Sequence, residues 1–120
     1  MAAVEFTITG DPARARQTAV GALSARQFTL AWTDEWTASA ERGSRTKNVL
    51  LGAFAQYFKV GVAVRSLDDD HSVVRVESLT SGWMGGLWGA NKTKSNLREL
   101  RTELGTAFES AGVLVDVRDL

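Results

Sequence analysis

Two runs of alternating side chains constrain this sequence most. Phe58, Val60, Val62 and Val64 alternate with Lys59, Gly61, Ala63 and Arg65, and further on Val74 and Val76 alternate with Arg75 and Glu77. Successive side chains of a strand point to opposite faces, so each run reads as a strand with one apolar face. The polar stretch between them, Ser66 to Ser72 with Asp68, Asp69 and Asp70, has the chemistry of a turn, and the two strands read as a hairpin. A sheet with one apolar face must be covered by something else.

The cover is legible in the rest of the chain. Val4, Phe6 and Ile8 alternate with Glu5, Thr7 and Thr9, which gives a third strand. Gly10-Asp11-Pro12 ends it and starts a helix, because Asp caps and Pro suits the first turn. This helix is expected from Pro12 to about Ala25, with Ala19, Val20 and Leu23 on one side. Phe28, Leu30 and Trp32 form the next strand. Trp36, Ala38 and Ala40 keep the same parity, so Thr33-Asp34-Glu35 is either a tight turn or part of one long bent strand. Arg42-Gly43-Ser44-Arg45 reads as a loop.

Residues 47–58 are apolar on every side, and periodicity does not separate a buried strand from a short helix there. Residues 80–94 form a Gly-rich segment. A second helix is expected to start near Asn96, with Glu99 three residues on as a capping-box partner and Leu97, Leu100, Leu104, Phe108 and Ala111 as its apolar stripe. Gly112 stands where a helix C-cap belongs, and Val113 to Val117 closes the chain as a strand.

The expected fold class is therefore α+β: a mainly antiparallel sheet of about five strands with two helices packed on one face. A chain of 120 residues without an internal repeat or a linker-like stretch is expected to be one domain, 1–120. Cysteine is absent, which removes disulfides, thiolate nucleophiles and Cys-based zinc sites. Met1 to Thr9 has neither the basic start nor the apolar run of a signal peptide, and no stretch of about 18 apolar residues occurs. The expectation is a soluble, cytoplasmic protein.

The formal net charge is zero, yet it hides an asymmetry. Arg42 to Leu67 contains Arg42, Arg45, Lys47, Lys59 and Arg65 and no acid, while Ser78 to Arg98 contains Lys92, Lys94 and Arg98 and no acid. The remaining residues hold six of the fourteen bases and all fourteen acids, a net charge of −8. Both acid-free segments are rich in glycine and aromatic residues. Cations interleaved with large apolar groups match surfaces that enter a lipid headgroup region.

The functional expectation is a non-enzymatic binding or accessory domain that uses segments 42–65 and 80–94 to contact an apolar small molecule or an anionic membrane surface. Trp83, Met84, Leu87, Trp88, Phe54 and Tyr57 supply apolar contact, and Arg45, Lys47, Lys92 and Lys94 supply charge. Two other readings stay open: a protein-interaction or self-assembling, homo-oligomeric domain, and a small enzyme of unrecognised type. The same aromatic residues also have a purely structural use, as core fillers packed against glycine.

Other motifs carry less. Gly86 to Thr93 resembles the phosphate-loop pattern G-x-x-x-x-G-K-[ST] but has Asn91 at the second glycine and bulky Trp88 inside. Asp68-Asp69-Asp70-His71 lacks the alternate spacing of a calcium loop, and His71 is the only histidine. No serine is placed by spacing beside that histidine, so no catalytic residue, cofactor or metal ligand is assigned. Net neutrality disfavours nucleic acid as a partner, although exposed Trp and Tyr rings stack on bases.

Overall fold

The computed structural model describes residues 3–42, 58–79 and 86–120, with the side chains of residues 86–96 outside that description. Alternation builds six strands: β1 (Ala3–Thr9), β2 (Thr29–Trp32), β3 (Thr37–Arg42), β4 (Phe58–Ser66), β5 (His71–Ser78) and β6 (Leu114–Asp119). Helix α1 (Pro12–Ala25) follows β1, and helix α2 (Gly86–Ser110) precedes β6. The strands form one sheet in the order β2-β3-β4-β5-β1-β6, and every neighbouring pair is antiparallel. The fold is α+β, as the periodicity implies, and the described residues hold six strands rather than about five.

Parity sorts the two faces. Val4, Phe6, Ile8, Ala40, Phe58, Val60, Val62, Val64, Val74 and Val76 enter one core. Ala15, Ala19, Ala22 and Leu23 of α1 join the same core, as do Leu97, Leu100, Leu104 and Phe108 of α2, so both helices cover the same face. Phe6 and Phe108 meet edge-on with ring centroids 5.2 Å apart, which locks α2 onto β1. The odd positions lie on the other face, where Glu5 is bracketed by Arg65 at 3.4 Å and Arg75 at 3.6 Å.

Local chemistry sets the helix ends. The Asp11 carboxylate accepts the Arg14 backbone N–H at 2.8 Å, with Pro12 in the first turn. After α1 the chain turns through Gln27 at φ 67°, and after α2 through Gly112 at φ 74°. Helices commonly end on a residue in this left-handed region, which glycine enters without steric cost.

The start of the second helix and the bounds of the last strand need correction. Of the two readings open for residues 33–35, the tight turn is the one found: Thr33 to Trp36 turns the chain back, so 29–42 is two antiparallel strands. The Asp34 carboxylate fixes that turn by accepting the Trp36 N–H at 2.8 Å. Helix α2 begins at Gly86, ten residues before Asn96. A glycine costs a helix about 1 kcal/mol but does not break it, and no proline interrupts this stretch.

The last strand runs from Leu114 to Asp119 and carries a bulge between its pairings with Thr7 and Ile8. The extra residue turns both Leu114 and Val117 toward the core, three positions apart, and leaves Val115 53% exposed. The choice between strand and helix for residues 47–57 lies outside the described residues, while Phe58 opens β4.

Candidate functional site

The strand registers bring the two acid-free segments to one place. Glu41 opposes Lys59, Arg42 opposes Phe58, and Val60 opposes Ser78. The end of β3, the start of β4 and the end of β5 therefore share one end of the sheet. Segment 43–57 joins the first two, and segment 80–85 leaves from the third to reach α2. Helix α1 delivers Arg26 and Phe28 to this end, just before β2.

Among the described residues, an aromatic and cationic cluster marks the spot. The Phe28 and Phe58 rings meet edge-on at 6.2 Å, and the Arg42 guanidinium lies 4.8 Å from the Phe28 centroid. Arg26 reaches across to α2. It donates to the Ala22 carbonyl at 2.8 Å and the Glu103 carbonyl at 3.1 Å, and pairs with the Glu103 carboxylate at 3.5 Å.

The opposite end of the sheet carries acids. Asp11 caps α1 there, Asp34 and Glu35 sit in the β2–β3 turn, and Asp68, Asp69 and Asp70 form the β4–β5 turn. The Gly10 N–H donates to the Asp70 carbonyl at 2.8 Å and ties two of these turns together. Arg65, Arg14 and Arg16 offset part of this charge, and Arg16 stacks 4.1 Å from the Trp32 centroid. Among the described residues the acidic turns gather at this end, while at the other end Arg26, Arg42 and Lys59 stand beside Glu41, Glu77, Glu103 and Asp119.

At the acidic tip, Asp68 accepts the Asp70 N–H at 2.8 Å and lies 2.8 Å from Nδ1 of His71. The Asp70 backbone hydrogen bond, followed by the His71 side chain, holds the Asp68 carboxyl below its usual range. The tip is exposed to solvent, and the Asp68 carboxylate is engaged within the turn itself. Among the described residues, no group of three or more His, Asp or Glu side chains comes together to hold a metal ion, and no helix is long and apolar enough to cross a membrane.

The residues singled out by sequence are distributed as follows. Arg45, Lys47, Phe54, Tyr57, Trp83 and Met84 lie outside the described residues. Leu87, Trp88, Lys92 and Lys94 belong by backbone to α2, so the expected loop of residues 80–94 is helix from Gly86 onward. The phosphate-loop resemblance fails for the same reason. Gly86 to Thr93 is helical throughout, whereas that motif needs an open loop whose backbone N–H groups face the phosphates.

Sequence reasoning missed Arg26 and Phe28 as members of this end, because nothing in their spacing links them to Arg42 and Phe58. The two half-buried tryptophans, Trp32 and Trp36, pack at the acidic end instead. No protein-family model matches the chain, and no curated protein matches it in sequence.

Proposed function

We propose that this chain is a non-enzymatic binding domain that docks the basic end of its sheet on an anionic membrane surface. One observation carries the reading: both acid-free segments depart from the same end of the sheet, through Arg42, Phe58 and Ser78. The sequence supplies Arg45, Lys47, Lys92 and Lys94 for lipid phosphates, and Trp83, Met84, Leu87, Trp88, Phe54 and Tyr57 for the headgroup region. Helix α2 runs from this end toward the acidic one, so its first eleven residues, without a single carboxylate, belong to the docking end. The acidic turns point away from the bilayer and keep the far end in water. A cysteine-free chain suits the reducing cytoplasmic leaflet, which is also the anionic one.

Co-sedimentation with phosphatidylcholine vesicles containing about 30% phosphatidylserine tests the reading directly. Binding is expected to fall with added salt and to vanish on neutral vesicles. Each lysine near the surface contributes about 1 kcal/mol, so K92A/K94A weakens partitioning by about thirtyfold. Absence of pelleting at low salt removes the proposal. Saturable binding of a soluble apolar probe, without vesicle binding, redirects it to a small-molecule site at the same end.

A further inference from the structure

The β6 edge carries a pattern that complements itself. Leu120 N–H donates to the Ala3 carbonyl at 2.9 Å, and Arg118 opposes Glu5 and Asp116 opposes Thr7 in the same register. In an antiparallel pair, opposed residues alternate between bonded and non-bonded positions. Arg118 and Asp116 therefore spend their backbone groups on β1, while Val117 and Asp119 turn theirs outward from the sheet edge. Asp116 and Arg118 are exposed, and among the described residues neither has an ion-pair partner. Asp119, on the helix side, is already bonded to Arg101 at 2.6 Å.

We infer that two copies of this chain pair antiparallel along β6, about a two-fold axis through Val117. This inference is independent of the membrane reading. Centred there, the two Val117 residues exchange N–H and carbonyl, and Asp116 of each copy lies opposite Arg118 of the other. These charged pairs fall at the non-bonded positions, where side chains approach most closely. Centring on Asp116 or Arg118 instead sets like charges against each other, so charge selects the register.

The same pairing brings Leu120 toward Val115 of the second copy. Val115 and Leu120 are 53% and 42% exposed, two of the four large apolar side chains left in water among the described residues. The bulge at Val115 ends the regular pairing on each side of the two-fold axis and limits it to the stretch from Asp116 to Arg118.

Sedimentation equilibrium from about 1 µM to 1 mM reads the result. The wild-type mass rises toward twice 13.0 kDa. Val117→Pro gives a monomer with unchanged circular dichroism, because the Val117 N–H serves no bond among the described residues. D116R alone weakens association at least tenfold, as does R118D, and the double variant D116R/R118D restores it. A constant monomer mass for the wild type overturns the inference. So does a dimer that survives Val117→Pro, or a double variant no tighter than the singles.

Discussion

The Ser72 hydroxyl, fully buried, donates to the Gly10 carbonyl at 2.8 Å. This bond joins the start of β5 to the turn between β1 and α1. Ser72 is the one buried polar side chain among the described residues, and Gly10 sits at φ 109°, a conformation open to glycine and strained for other residues. Ser72→Ala leaves the Gly10 carbonyl without this partner. Urea denaturation is expected to show a loss of about 1–3 kcal/mol.

The edge-on contact of Phe6 and Phe108 joins α2 to β1, the strand next to the β6 edge. Both rings are fully buried. Phe108→Ala is expected to cost about 3–5 kcal/mol by the same measurement, and Phe108→Leu much less, since it keeps most of the volume.

Two glycines give opposite signs. Gly21 lies in α1 with open space where a Cβ would stand, so Gly21→Ala gains about 0.5–1 kcal/mol from helix propensity and a less free unfolded chain. Gly112 also has open space, but its φ of 74° strains any side chain, so Gly112→Ala costs about 1 kcal/mol. Equal melting shifts for the two variants contradict this account, because local space is the same at both.

Arg26 holds α1 to α2 through the Glu103 carbonyl and carboxylate while capping its own helix at Ala22. Arg26→Ala removes all three contacts and leaves the partly shielded Glu103 carboxylate without its counter-charge. The expected loss is about 1–2 kcal/mol. Lysine at this position is expected to recover only part of it, because an ammonium lacks the planar fork.

The Asp68 turn predicts an acid dependence. Its carboxyl titrates lower in the folded chain than the ordinary 3.8, so the stabilisation is complete above that pH and drains away as pH falls through the folded value. D68N is expected to melt slightly below the wild type at neutral pH, and the two melting curves to converge in acid. A gap that widens on acidification contradicts the assignment.

Legibility followed burial. Helix α1 matches its expected bounds because proline and a capping carboxylate mark its start; of the expected stripe Ala19 and Leu23 are buried, while Val20 is only half-buried and Ala15 and Ala22 take its place in the core. The β4–β5 hairpin was equally plain, since one face of each strand is buried and the other wet. The start of α2 was obscured by Gly86 and Gly89, read as loop formers, although Leu87 and Ala90 continue the spacing of the Leu97 stripe backward. The bulge in β6 was invisible because Val113, Val115 and Val117 alternate convincingly on their own. Only the core position of both Leu114 and Val117 forces the extra residue. The meeting of Phe28, Arg42 and Phe58 at one end required the strand order, which no local pattern encodes.

The gathering of acidic turns at one end of the sheet has a consequence for how the molecule turns before it lands. A nine-residue strand such as β4 is about 30 Å long, whereas the electric field of a charged group fades over about 8 Å in physiological salt. Beyond that distance the surrounding ions screen the field and the molecule feels almost no torque. Reorientation therefore belongs to the final nanometre of an approach, and dilution of the buffer lengthens the distance over which it begins.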